Sequence, residues 1–378
     1  MQFTVDRDVL SEAVSWTARA LPARPAAPIL AGVRINAHDQ AVTFSSFDYE
    51  VSATVDIPAS IEETGEVLVS GKLLAEISKS LPNKPVHVEE DGQKVTITCG
   101  SFRSALAVMP LEEYPPLPSQ PELRGAVDSQ EFARAIQQVS VAASRDETLP
   151  TLTGVFVEID GEDITLLATD RYRLAMRELK WTPADPAFES QALVKARILG
   201  EVAKSMSGGS TIQIGLSDAS SPGHSSLVGF SAEGRQTTST LMEGDYPPVR
   251  RLFPESTSIH AVINRQVLLE AVKRVSLVAE RKTSVRMVFS DGRLLLEAGQ
   301  GDNAQASEAL EVQLFGDDVT TAFNPQFLID GLTVMDTEFV RFGFTHGTKP
   351  AVMTGQTEID GGEVTDFRYL AMPIRFGI

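Results

Sequence analysis

A single cysteine, Cys99, stands in a chain of 378 residues, which excludes an intrachain disulfide and any zinc site built on several cysteines. Basic residues are scarce beside acidic ones, 33 against 51, for a net charge of −18. That balance argues against a protein that coats polyanions, whose footprint is an excess of Lys and Arg. Any nucleic-acid contact must draw on positive charge gathered locally. No run approaches the ~18 uninterrupted apolar residues of a membrane span. The opening Met-Gln-Phe-Thr-Val-Asp-Arg-Asp lacks the basic region and apolar stretch of a signal peptide. No membrane association and a cytoplasmic location are expected.

The local signatures of catalysis are missing as well. No Gly-x-x-x-x-Gly-Lys-Ser/Thr phosphate loop occurs, and Ser70-Gly71-Lys72 reads as a helix start. The five histidines, at 38, 87, 224, 260 and 346, show no metal-ligand spacing, and no nucleophile elbow is present. Asp48 and Asp170 recur at matching places and would serve either as paired carboxylates or as turn aspartates that hold their own backbone; the turn reading is favoured. A binding protein without enzymatic activity, metal or cofactor is expected.

What is present is a threefold repeat. Val5 to Leu10, Val127 to Phe132 and Val262 to Leu268 each open with a strand-like pair, then a polar N-cap candidate, then an apolar stripe at helical spacing. The stripes are Leu10, Ala13, Val14, Thr17; Phe132, Ala135, Ile136, Val139; and Leu268, Ala271, Val272, Val275. A second element is sharper: 68–81 matches 193–206 almost position for position, and 322–330 keeps its strand-to-helix pattern with Pro325 as an early helical residue. Thr43 to Ala53 matches Thr165 to Ala175. Glu113-Tyr114-Pro115-Pro116 matches Asp245-Tyr246-Pro247-Pro248, and Leu106 to Pro110 resembles Leu370 to Pro373.

The repeat predicts three domains, 1–121, 124–254 and 257–378, each of ordinary size and bounded by Pro-rich stretches. Alternating strands at 33–35, 41–44 and 95–98, with hairpin signals at Asp91-Gly92 and Asp291-Gly292, give an α+β class. Each copy then carries two helices packed on antiparallel sheets.

With these features the chain resembles the bacterial sliding clamp family over essentially its whole length. The resemblance rests on Leu21 to Leu30 with Arg24-Pro25 and Pro28-Ile29-Leu30, on Ala168-Thr169-Asp170-Arg171-Tyr172-Arg173-Leu174-Ala175, on Asp245-Tyr246-Pro247 followed by Arg250-Arg251, and on Tyr369 to Phe376. It implies a head-to-tail homodimer closed into a six-domain ring around duplex DNA, without sequence preference. The clamp loader would open the ring. The alpha subunit of DNA polymerase III, other polymerases and repair proteins would bind by short peptide motifs. Arg171 and Tyr172 depart from the smaller residue and His of many relatives. Phe327 replaces a common Tyr, and Gly377-Ile378 run past the usual stop.

A ring that tracks any sequence should touch phosphates and ignore bases. Windows 6–24, 71–84, 128–145, 195–206, 264–282 and 324–334, where the resemblance puts the ring lining, hold 16 basic and 10 acidic residues. Candidate DNA contacts are Arg24, Lys72, Lys79, Lys195, Arg197, Lys204, Arg265, Lys273 and Arg274, with Arg24 and Arg197 at family contact positions. The resemblance places a partner-peptide pocket at Leu152, Thr169, Leu174, Pro247, Arg251, Leu252, Met372, Pro373 and Ile374, with Arg173, Phe327 and Arg375 nearby. Arg173 and Arg251 are expected to hold peptide carbonyls or an acidic residue at its rim. It places the dimer interface at Ser104 and Leu277. An acidic repeat scaffold that binds peptides and never meets DNA is the competing reading.

Overall fold

The computed structural model describes residues 1–217, 226–279, 284–299 and 304–374. Among them are six α-helices: α1 Arg7–Thr17, α2 Gly71–Ser80, α3 Ser129–Ser140, α4 Ala196–Met206, α5 Arg265–Ser276 and α6 Pro325–Val334. The three apolar stripes are buried from end to end, from Leu10 to Thr17, Phe132 to Val139 and Leu268 to Val275. The helices begin where the polar residues dictate. Asp6 accepts from the amides of Asp8 and Val9, Asn264 from that of Val267, and Asn324 from that of Gln326, each answering an amide that the first turn leaves without a partner. Gly71 starts α2, so the Ser70-Gly71-Lys72 fragment is a helix start.

Every strand pairing is antiparallel, in sheets of fourteen, nine and four strands among the described residues. The chain groups into two compact units. The first comprises Met1–Gln130, Thr182–Pro186 and Glu201–Leu241 and contains the fourteen-stranded sheet. The second comprises Glu131–Trp181, Ala187–Gly200 and Met242–Ile378 and contains the other two. The grouping cuts through the middle sequence repeat because its strands extend the sheets of both neighbours. In the first unit Arg235–Thr240 pairs with Val51–Pro58. In the second, Arg173–Lys180 pairs with Glu363–Ala371.

Both pairings lie next to matching turns. Asp48 accepts the amides of Glu50 and Val51 at 2.9 and 2.7 Å, and Asp170 accepts those of Tyr172 and Arg173 at 3.0 Å each. These are turn aspartates holding their own backbone. Each forces the next residue left-handed, Tyr49 at φ 73° and Arg171 at φ 79°. The hairpin at Asp291-Gly292 has φ of 49° and 71°, the sign that a type I′ turn requires at both central positions.

Of the strand edges open among the described residues, two bear on assembly. Phe102–Met109 pairs with Lys94–Cys99 on one side, while its other side meets Gly65–Ser70 only at Val108 and Met109. Ala306–Glu311 closes the four-stranded sheet, pairing with Arg293–Ala298 alone. No helix among the described residues is long and apolar enough to cross a membrane.

Helix α6 lies close against the strand Glu363–Ala371, and glycine allows it. A Cβ on Gly331 would stand 2.8 Å from a ring carbon of the fully buried Tyr369. Gly331→Ala should therefore destabilise the fold by about 1–3 kcal/mol through overpacking. Urea unfolding checks this, and unchanged or raised stability would contradict it.

Candidate partner-binding site and nucleic-acid contacts

The strand pair Arg173–Lys180 and Glu363–Ala371 puts Leu174 opposite Leu370. Both are 1% exposed, and with Leu167, Met176 and Val249 they form one apolar cluster. Phe156, Tyr246, Phe253, Val352 and Met372 pack against it and stay partly open. The Phe156 and Tyr246 rings stack in parallel at 5.1 Å. Leu174 thus lies at the bottom of the cluster, and Met372 is one of its partly open members. Backbone bonds tie the segment carrying Met372 in place: its amide donates to the Tyr172 carbonyl and that of Ile374 to the Ala322 carbonyl, both at 2.8 Å.

Thr169 fixes the turn above this floor, donating to the Arg173 carbonyl at 2.6 Å and accepting from the Arg171 amide at 3.1 Å. Pro247 and Leu252 flank the cluster residue Val249 in an exposed turn, with Arg251 exposed between them. Pro373 and Ile374 are partly buried. Leu152 is buried on the short turn Pro150–Thr153 and is not part of the cluster. Arg375 lies outside the described residues, as do Gly377 and Ile378.

Arg173 requires a correction: it is not a rim group free to hold a peptide. Its side chain is 9% exposed, with Nε 3.0 Å from Asp170 and Nη1 2.5 Å from Asp330. Its guanidinium also lies 4.6 Å over the Phe327 ring and 3.4 Å from the Tyr369 hydroxyl. Burial opposes the charge, but Tyr369 and the two carboxylates outweigh it, and its pKa is raised. The Tyr369 hydroxyl in turn donates to the Phe327 carbonyl at 2.9 Å. Arg173 and Phe327 are thus brought together, as struts between the 169–173 turn and α6. Nothing in the residue order signalled this, because Asp330 and Tyr369 lie far along the chain.

The apolar cluster was likewise read only in part from the sequence. Phe156, Val352 and Leu370 are ordinary strand residues until register brings them together, whereas Tyr246 lay within the Asp-Tyr-Pro mark. The matching junction in the first unit makes the contrast visible. It repeats the register, with Thr238 opposite Ser52 where the second unit has Leu370 opposite Leu174. It repeats a tie too, the Thr240 amide donating to the Glu50 carbonyl at 3.0 Å. However, Ser52 and Thr238 are buried and hydrogen-bonded to each other at 2.5 Å. The same backbone carries an apolar floor in one place and a paired-hydroxyl plug in the other.

The candidate DNA contacts divide by engagement. Arg24, Lys72, Lys79, Arg197 and Lys204 are exposed, and among the described residues they make no ion pair. Lys72 and Lys79 are seven residues apart on α2 and so share a face. Lys195 is half-buried and has a partner. The third-repeat cations are occupied. Arg265 caps the end of α6, donating to the carbonyls of Leu332 and Thr337 at 3.1 and 2.9 Å. Lys273 pairs with Glu270 at 3.1 Å, and Arg274 grips Glu308 with two nitrogens at 3.0 and 2.6 Å. Ser104 lies on the open-edged strand Phe102–Met109, and Leu277, just past α5, is 85% exposed. Among the described residues no group of three or more His, Cys, Asp or Glu is placed to hold a metal.

Removing Arg173 would strand two carboxylates. Arg173→Met should cost about 3 kcal/mol, the low end for breaking a buried pair because Asp330 keeps some exposure. Adding Asp330→Asn should recover part of that loss. Urea unfolding of the single and double variants checks both expectations.

Comparison with known proteins agrees with these features. The chain matches the family models for the N-terminal, central and C-terminal domains of the DNA polymerase III beta subunit at residues 1–118, 126–248 and 250–375. It is 50% identical over 375 residues to the beta sliding clamp of Streptomyces coelicolor, covering 99% of each chain. It is 53% identical over 314 residues to that of Micrococcus luteus, covering 83% of this chain and all of the relative. A crystal structure of the DNA polymerase III beta subunit of Pseudomonas aeruginosa, bound to griselimycin, superposes with a TM-score of 0.90 at 26% identity, covering both chains fully. The chain belongs to the bacterial beta sliding clamp family, the beta subunits of DNA polymerase III.

Proposed function

We propose that the chain works as a homodimeric ring of three-domain subunits, with domains at 1–121, 124–254 and 257–378. The ring encircles duplex DNA and tethers the replicative polymerase and repair proteins through the apolar pocket. Its role is binding and not catalysis, and its compartment the cytoplasm. The observation that carries this reading is the charge placement: exposed, unpaired Arg24, Lys72, Lys79, Arg197 and Lys204 in a chain of net charge −18. Such cations meet phosphates at short range, while the acidic remainder repels polyanions elsewhere. Arg265 contributes less, its donors being held by α6.

The open edges at Phe102–Met109 and Ala306–Glu311 support head-to-tail closure. An edge strand left bare invites pairing with another chain, and a heterologous contact between unlike edges closes a ring when the rotation fits. Exposed Arg103 on one edge and exposed Glu311 on the other have complementary charge. Leu277, almost fully exposed in one subunit, supplies an apolar anchor. Leu277→Asp should weaken dimerisation by about 2–4 kcal/mol by placing a charge in that junction. Solution mass at micromolar concentration checks it, and an unchanged dimer would contradict the interface.

For the DNA, retention on a closed circle after loading should resist salt, and linearising the circle should release the protein. Retention that survives linearisation would contradict encirclement. Arg24→Ala with Arg197→Ala should weaken direct binding to short duplexes without changing sequence preference.

For partners, Leu174 and Leu370 beneath Met372 make an apolar base suited to one or two peptide anchors, and a thioether adapts to differently shaped occupants. The Pseudomonas aeruginosa relative, captured with griselimycin, supports a ligand-taking surface on this scaffold. Met372→Ala should weaken polymerase-derived peptides by about 1–3 kcal/mol. Calorimetric titration checks this, and full affinity in the variant would sink the pocket assignment.

A further inference from the structure

We infer that Arg171 makes this pocket selective for partner peptides carrying an acidic side chain next to their apolar anchor. The inference rests on the pocket reading above and adds the chemistry of the occupant.

The 169–173 turn is held rigidly by its own hydrogen bonds. Asp170 accepts two amides, and the Thr169 hydroxyl bonds to the Arg171 amide and the Arg173 carbonyl. Arg171 occupies it at φ 79°, a left-handed conformation that asparagine or glycine adopts more readily than arginine. The turn does not need arginine there, since Tyr49 holds the matching place in the first repeat at φ 73°.

What the arginine provides is a placed charge. Its guanidinium lies 5.9 Å from the Tyr172 ring, the Tyr172 ring stacks at 6.4 Å on Phe327, and Phe327 lies 4.6 Å beneath the Arg173 guanidinium. Two aromatic rings thus lie between two guanidiniums. The inner one, Arg173, is neutralised by Asp170 and Asp330. The outer one, Arg171, is exposed and makes no ion pair among the described residues. Asp146 lies near enough to feel its charge, but it makes no ion pair with Arg171, and its Oδ1 is bound to the Thr148 amide and hydroxyl at 3.0 and 2.7 Å.

Neighbouring cations show that this is not the general condition of the surface. Arg250, beside the cluster residue Val249, is paired with Glu158 and Glu178 at 3.5 and 2.9 Å. Tyr172, whose carbonyl receives the Met372 amide, joins the Arg171 turn directly to the pocket floor. A guanidinium with no ion pair among the described residues, set over a ring and one residue from the pocket wall, offers a planar two-pronged donor to a carboxylate. In a chain of net charge −18 it also offsets the general repulsion that an acidic peptide would meet.

The test uses the full-length chain and two synthetic peptides with identical leucine and phenylalanine anchors, flanked in one by aspartates and in the other by asparagines. Wild type should prefer the aspartate peptide by about three- to tenfold, as a partly exposed charge-assisted pair allows, and added salt should reduce the margin. Arg171→Gln should erase that preference, and Arg171→Glu should invert it in favour of a lysine-flanked peptide. Equal effects of both substitutions on all three peptides, or no preference in wild type, would overturn the inference and leave the pocket intact. Failure of every peptide to bind wild type would overturn the pocket reading, and the inference with it.

Discussion

The pairing of Arg173–Lys180 with Glu363–Ala371 is the constraint on which the rest of the site depends. A strand has a side-chain period of two, so a slip of one residue would turn every inward group outward. The observed register places Leu174 opposite Leu370 on one face of the strand and Arg173 and Arg177 on the other, and both faces are buried. The apolar cluster and the Arg173 network are therefore consequences of one alignment. The network helps fix that alignment in return. A slipped strand would separate Arg173 from Asp330 and leave a guanidinium and a carboxylate in low-dielectric surroundings, which costs far more than an exposed ion pair returns.

The same economy of means explains how an acidic chain can belong to a DNA-handling family. Net charge governs solubility and long-range repulsion, but contact with phosphates depends on which cations are free. Here the cations divide into two populations. Those bound to carbonyls or carboxylates, such as Arg173, Arg265 and Arg274, build the fold. Those exposed and without an ion pair among the described residues, such as Arg24, Lys72 and Arg197, remain available. A count of Lys and Arg treats the two alike, so composition alone pointed away from nucleic acid.

Much of the architecture was legible because helix and strand rules are local. The three apolar stripes, the caps at Asp6, Asn264 and Asn324, the hairpin at Asp291-Gly292 and the turn role of Asp48 and Asp170 follow from spacing and side-chain chemistry within a few residues. The site was legible only where it coincided with such local marks. Leu174 and Met372, both named from the sequence, share an apolar cluster with Phe156, Val352 and Leu370, which sequence order did not single out, since that meeting depends on strand register across nearly 200 positions. Arg173 was read as a free rim group because its partner Asp330 is supplied by a helix more than 150 residues away. Sequence order says nothing of that neighbour.

Repetition with divergence accounts for what remains. Both inter-repeat junctions use the same turn aspartate, left-handed residue and strand register, so the backbone cannot decide where a ligand binds. The choice lies in a few side chains. Ser52 and Thr238 are buried and satisfy each other's hydroxyls, so that junction is closed by polar groups that are already paired. Leu174 and Leu370 are as deeply buried, but the partly exposed Phe156, Tyr246, Phe253, Val352 and Met372 packed on them gain from being covered. A duplicated scaffold can in this way keep one junction as a structural seam and open the other to partners. The outer residues of the turn, Tyr49 in one and Arg171 in the other, are the positions least constrained by the fold and so the freest to set what is recognised.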